Sequence, residues 1–414
     1  MLSSDSHAAS IVSKKSQDSA PKSKKNLHTV LLEILDVVLS CLIVAPCVIA
    51  YWRGTWEILG VLIFPKNTPL SALISFLIGG MGHFIFTSTQ TFFKAYIHPD
   101  KRRLTYYVIS RCYTATFGVV CVNMWRGSWI LCDWLTSADS LIIVSVVTLV
   151  ALLFLTATRT LRNLGAAPYS VAMDHKSDYF EVGTMFKVGG FQQPALYVLD
   201  TLFSVFVIGT LVVIAWRGLW GIMDLTFFTN DKPKSAWGSL IIGYVTVGTT
   251  FIIQPMVRFT CKKINNSACK LIICDIFYIM CFVGAVNAWR GIWMLLDMYL
   301  YPDNKVLSYW LTHVIPFLVL AALKCSNSIL VRGVFIDGED TSGECVDIPI
   351  HYVMLHFQRE RNKKQSKVHP YNHHRQHHHQ LGNNNEKEAQ SSLIEKNTKP
   401  EQKIQSGMDA TQLV

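Results

Sequence analysis

Charge is scarce in this 414-residue chain. Asp, Glu, Lys and Arg make up 16% of it, against about 25% in typical soluble domains. Catalytic vocabulary is missing as well. There is no HExxH, no phosphate-cradling glycine loop, no carboxylate-rich metal spacing and no nucleophile–base arrangement. No catalytic residue, cofactor or metal ligand is assigned, and an enzyme is not expected. Glycosylation acceptors are nearly absent, since Asn265-Asn266-Ser267 is the sole Asn-x-Ser/Thr without proline. Cysteine is present eleven times, but only Cys132 falls in a segment expected outside the cell. That argues against an extracellular disulfide framework.

What is abundant is apolar sequence, 50% of the chain. It is bunched into runs long enough to cross a bilayer, which takes about 20 residues per helix. Eight are read, near residues 31–51, 69–91, 104–124, 139–158, 196–215, 237–257, 269–288 and 308–328. The fold class is therefore an all-α polytopic membrane protein, with the lipid bilayer as first partner and nucleic acid not among the expected ones. Lys and Arg orient it. Five lysines precede the first run and four basic residues fall in each even connector, whereas the odd connectors hold two, one, three and two. The positive-inside bias places both termini and the even connectors in the cytoplasm. The first 28 residues are polar and rich in Ser and Lys, unlike a cleaved signal peptide.

One phrase organises the chain. Trp-Arg-Gly-x-Trp occurs at Trp52-Arg53-Gly54-x-Trp56, Trp125-Arg126-Gly127-x-Trp129, Trp216-Arg217-Gly218-x-Trp220 and Trp289-Arg290-Gly291-x-Trp293. Asp133, Asp224 and Asp297 follow eight residues after the first Trp of the last three copies, and Gly60 stands there in the first. The interval from Trp52 to Trp125 equals that from Trp216 to Trp289, and the interval between the two pairs is longer. Sliding the chain until Trp52 falls on Trp216 superposes Asp36 on Asp200, Asn123 on Asn287 and Gly79 on Gly243, without a gap from about residue 36 to 133. The expectation is two tandem, parallel four-helix repeats. The shorter interval within each half shows little beyond the motif, and a fourfold origin stays open. The domains expected are a basic arm 1–28, a first repeat 29–158, a connector 159–195 with at most a short surface helix, a second repeat 196–330, and a largely disordered cytoplasmic tail 331–414.

Within the motif, Trp suits the headgroup level and Arg either snorkels to phosphate or forks onto a carboxylate. On a continuous helix Trp, Trp and Asp at positions 0, 4 and 8 step by about 40° and share a stripe. Arg and Asp of one copy lie roughly 10 Å apart, too far for a bond, so any pair must join different copies. Two readings stand open: an interfacial girdle, or a charged ring around an outer vestibule. Inside the runs, Asp36 and Asp200 lie at equivalent places, where an acid is either a functional site or a helix-start and interface device. Arg111 superposes on Asp275, and an Arg111–Asp275 ion pair is expected. Gly79, Gly80 and Gly82 suit close helix approach. His83 and His313 read as packing histidines, and the histidine tract 369–379 carries no ligand framework.

Eight spans, four Trp-Arg-Gly-x-Trp motifs after the odd helices and cytoplasmic termini resemble the fuseless family of invertebrate membrane proteins over about residues 30–330. The resemblance implies a presynaptic protein of the plasma membrane, needed to cluster voltage-gated calcium channels and support transmitter release, with calcium-channel or active-zone scaffold proteins as partners through cytoplasmic segments. It carries over no binding residue and no oligomeric state. The competing reading, from the residues alone, is a secondary transporter or channel: a duplicated bundle with paired acids and charged outer motifs, although no Gly/Pro-broken helix occurs at corresponding places in the two halves.

Overall fold

The computed structural model describes residues 27–97, 102–136, 139–174, 179–189, 193–338, 346 and 348. All belong to one compact unit, Met1–Val353, and Met354–Val414 lies outside the described residues, as do the histidine tract and the basic arm up to residue 26. The helices are α1 Leu27–Leu39, α2 Ala45–Leu62, α3 Thr68–Tyr96, α4 Arg103–Leu135, α5 Leu141–Ala157, α6 Pro194–Leu202, α7 Gly209–Thr226, α8 Lys232–Lys263, α9 Ser267–Tyr299 and α10 Lys305–Ala322. A π turn, Ser40–Val44, welds α1 to α2, and a second, Phe203–Ile208, welds α6 to α7. Eight long rods result. The shift that lays Trp52 on Trp216 also lays one π turn on the other. The two halves do share a helix interruption, with Pro46 just after the first π turn and Gly209 directly after the second.

Six of the rods are long and apolar enough to cross a membrane. The other two explain themselves. α5 has 17 residues, about 25 Å at 1.5 Å each against a hydrocarbon core of about 30 Å. α4 has the length, 33 residues, but carries Arg103, Arg111, Arg126 and Asp133. The helices also run on past the expected ends. α4 and α9 continue unbroken through their motifs, so the stripe geometry of positions 0, 4 and 8 applies.

The rods form two layers around one axis. Motif-bearing α2, α4, α7 and α9 are inside, and α3, α5, α8 and α10 are outside. Each outer helix follows one inner helix in sequence but packs on the next: α3 on α4, α5 on α7, α8 on α9, and α10 back on α2. The local sequence starts each outer helix alike. Asn67, Ser140, Asp231 and Asn304 are the N-caps, their side chains accepting from the N–H three residues on. All four stand at one distance from the first Trp of their copy, so the inner repeat carries more than the motif.

The connector is not a surface linker. Thr160, Leu161, Leu164, Tyr169, Asp174, Tyr179 and Phe180 are buried, and its short helix is a buried 3-10 turn, Leu161–Leu164. After α10 the chain makes the same turn at Ser326–Ile329, and residues 331–338 pack inward rather than joining a tail. The two segments cap each other. Asp174 accepts from the N–H groups of Ser326 and Asn327 at 3.0 and 2.9 Å, and Asp337 accepts from those of Leu161 and Arg162 at 2.7 and 3.0 Å. Their own N–H groups reciprocate, Asp174 to the Lys324 carbonyl and Asp337 to that of Arg159. Burial lifts the Asp337 carboxyl to about 6, against the opposing pull of the Arg162 and Leu161 N–H groups.

Candidate functional site

The four motifs meet on the axis. Trp52, Trp125, Trp216 and Trp289 form a closed ring of edge-to-face contacts, with centroid separations of 5.4, 5.6, 5.5 and 5.7 Å. One turn along, Trp56, Trp129, Trp220 and Trp293 close a second ring at 5.8, 5.7, 6.0 and 5.9 Å. Each such pair contributes about 0.5–1.5 kcal/mol beyond the area it buries. At both levels the planes are near-perpendicular, 74–87° between neighbours, so each indole sets its edge against the next around a closed square. Three of the first-ring indoles donate to the crossed segments below: Trp52 to the Ile329 carbonyl at 2.9 Å, Trp216 to Leu164 at 3.1 Å and Trp289 to Ala167 at 2.8 Å.

The arginines run sideways. Arg53 donates to Asp297 at 2.7 Å, Arg217 to Asp133 at 2.5 Å and Arg290 to Asp224 at 2.7 Å. Every pair joins one copy's Arg to the preceding copy's Asp, as the wide separation of the two within a copy requires. The guanidinium side chains are 2–4% exposed and the carboxylates 37–50%. The arginines are therefore walled in, and the acids form the wet rim. Outer helices supply the remaining acceptors. Arg290 reaches Ser239 at 2.6 Å and Ser235 at 2.8 Å, Arg126 reaches Ser75 at 2.7 Å and Ser71 at 3.0 Å, and Arg53 reaches Ser308 and Thr312 at 3.2 and 3.4 Å. These hydroxyls occupy the same two places in every copy but one. In copy two Val144 replaces the first of the pair, and Nη1 of Arg217 is buried without a partner.

The motif glycine faces outward and lets the outer helix touch. A Cβ on Gly54, Gly127 or Gly291 would fall 2.3–2.6 Å from backbone atoms of Tyr309 and His313, Phe76, or Leu240. Each part of the phrase has its place: Trp meets Trp on the axis, Arg in three of the four copies bridges to the previous copy, and Gly admits the outer helix. A girdle at headgroup level would need neither of the last two. The arginines line the walls between neighbouring copies, and the acids stand more exposed beside them.

The intramembrane charges fall differently from expectation. Arg111 does not pair with Asp275. It donates to Asp174 and Ser326 in the crossed segments, and Asp275 is near Arg159 with one carboxylate oxygen buried and unpartnered. Superposing two pseudo-equivalent residues says they sit alike around an axis, not that they touch. Asp200 is 2% exposed and saturated, accepting from Thr184 Oγ1 at 2.6 Å and from the N–H groups of Phe186 and Val188 at 3.0 and 3.2 Å. It fastens the connector. Asp36 is equally buried. His83 packs edge-on to Phe117, and His313 bonds Thr55 at 2.8 Å and stacks on Tyr51, as packing histidines do.

Below the first Trp ring lies a cavity of about 450 Å³, lined by Trp52, Trp125, Trp289, Tyr169 and Cys281 with Arg162 and Arg332 from the crossed segments. Sequence reasoning missed it because its floor is made by those two segments. On the outside of the bundle Leu42, Leu77, Met81, Ile142, Leu153, Ile252 and Leu318 are exposed, a belt that water would not tolerate over so many turns.

An apolar exterior around a charge-stitched core with two tryptophan rings, together with helices long enough to cross a bilayer, defines a polytopic helical integral membrane protein. Residues 31–330 match the family model described as Fuseless, and the chain belongs to that family. No curated protein and no solved structure matches it.

Proposed function

We propose that this protein is a non-enzymatic membrane organiser, with eight spans in two parallel repeats and both termini cytoplasmic. In this reading it serves the presynaptic plasma membrane, where it supports calcium-channel clustering and transmitter release by holding channel or scaffold partners through its cytoplasmic segments. The observation that carries it is the pair of closed tryptophan rings on the axis, which in this reading act as a plug, while three of the four motif arginines are paired with an acid of the neighbouring copy. Asp200, one of the two acids behind the transport reading, is occupied as a fastener of the connector.

The test is done in neurons lacking the endogenous protein. Deleting residues 354–414 should abolish channel clustering while the truncated protein still reaches the membrane at normal density. Clustering unaffected by that deletion would sink the tail-mediated reading. A second reading, as a transporter, is favoured by two features, the cavity of about 450 Å³ above the crossed segments and the paired π turns, which elsewhere often mark functional sites. Proteoliposomes separate the two. Wild type should show no ion or solute flux, whereas Trp125→Ala with Trp129→Ala, which removes one quarter of each ring, should leak small cations. Steady flux through the wild type would favour the transporter.

A further inference from the structure

We propose that the outer mouth of the first copy is a binding site for a small carboxylate anion, held by Arg126 in the place where the other copies hold an aspartate of their own.

The relay of ion pairs is a cycle with one link changed. Arg217, Arg290 and Arg53 each receive a carboxylate from position eight of the preceding copy, and in all three Nε is a donating atom, at 2.5, 2.9 and 2.7 Å. For Arg126 the preceding copy offers Gly60. Among the described residues no carboxylate pairs with Arg126, and its Nε is buried with no hydrogen-bond partner. The residue is 5% exposed, and its other two nitrogens are fixed by Ser75 and Ser71. A guanidinium held this rigidly cannot turn its bare N–H toward water. The fork is therefore preorganised for an acceptor.

Gly60 leaves room for one. A Cβ built there meets a single atom within 4 Å, Nη2 of Arg126 at 3.7 Å. The direction from Gly60 thus leads to the guanidinium, as the aspartate side chains do in the other copies. What separates glycine from aspartate is a CH2–COO⁻ group, which is acetate in size and charge. The equivalent carboxylates are 37–50% exposed, so a solute can reach the place from the outer side. Glu57, one turn earlier on α2, shares the electrostatics of Arg53, Arg126, Asp297 and Lys305. It balances the ring at a distance and opposes the incoming anion without taking the Nε bond.

The experiment is a thermal melt of the full chain in maltoside micelles, which carry no phosphate, at constant ionic strength with gluconate exchanged for acetate. The wild type should gain on the order of 2–4 °C, saturating with acetate. Gly60→Asp should start higher and show no further gain, because the added side chain takes the site. Gly60→Ala puts a methyl where that of acetate would sit, so it should start like wild type and answer to formate but not to acetate, which separates filling of the site from a folding defect. Glu57→Gln should strengthen the response. Equal shifts for acetate, chloride and gluconate, or an undiminished acetate response in Gly60→Asp, would overturn the proposal. So would a response seen in Glu57→Gln but not in wild type, since Glu57 would then be the resident ligand.

Discussion

Gly127→Val should leave almost no correctly folded protein, while Gly248→Val should be tolerated. A Cβ on Gly127 falls 2.3 Å from the backbone nitrogen of Phe76 and 2.6 Å from its Cα. Both obstacles are backbone, so no rotamer change relieves them and α3 must lift from α4 as a body. Lifting breaks more than one contact. Gly79 on α3 meets Met124 on α4 just as closely, at 2.3 Å, so the helices are latched at two points. Beside the latches run the bonds from Arg126 to Ser71 and Ser75, whose loss would leave a buried guanidinium stripped of its acceptors. Overpacking typically costs about 1–3 kcal/mol and occasionally more, and a backbone collision joined to an orphaned charge belongs at the top. Gly248 has nothing within 4 Å of its would-be Cβ, so the same change there tests only helix propensity. Fluorescence-detected gel filtration and a melting curve of both variants decide it. A Gly127→Val protein that elutes and melts like wild type would mean the helices are not latched as described.

Much of this arrangement was legible in the chain, and the reasons for the rest are physical. Trp-Arg-Gly-x-Trp is conspicuous because two tryptophans in five residues are rare, and the separation of Arg and Asp along one helix already required pairs between copies. The direction of that relay was not legible, because it depends on which helix neighbours which. The fourfold closure was hidden for a different reason. Its further marks, the caps Asn67, Ser140, Asp231 and Asn304 and the hydroxyls Ser71, Ser75, Thr148, Ser235, Ser239, Ser308 and Thr312, interchange freely in identity. A side-chain oxygen is what each place needs, and several residue types supply one. Comparing the copies by residue identity passes over these positions, whereas comparing them by hydrogen-bonding capacity finds them. The crossed segments were the larger miss. Their polar sequence suits a solvated linker, and only the reciprocal bonds of Asp174 and Asp337 make it bearable inside. The shift that lays Trp52 on Trp216 carries Asp174 one place past Asp337 and carries Leu161 one place short of Ser326. A rigid superposition of the halves therefore misses both.

Asp174→Ala should destabilise the protein more than Asp337→Ala, although the two acids occupy equivalent places. Each caps two backbone N–H groups of the opposite 3-10 turn, and removing either leaves those donors buried at about 1–3 kcal/mol each. Asp174, 1% exposed, also holds the Arg111 side chain and the Ser326 hydroxyl. Its loss therefore also takes the carboxylate from Arg111, whose side chain is 21% exposed and keeps the Ser326 hydroxyl, and that cost comes on top of the two stranded N–H groups. Around Asp337 the arginine works otherwise, since Arg159 donates to the Asp337 carbonyl at 2.6 and 3.1 Å, and that carbonyl survives the change to alanine. Arg111→Ala in the Asp174→Ala background should recover part of the loss, because the stranded charge goes with it. Exchanging Arg111 and Asp174 should recover nothing, since an arginine at 174 cannot accept from the N–H groups of Ser326 and Asn327. Melting temperatures of these variants at one pH and salt are sufficient. If the exchange restored stability, Asp174 would be acting as a counter-ion alone, and the mutual capping of the two segments would not be what holds the floor of the cavity in place.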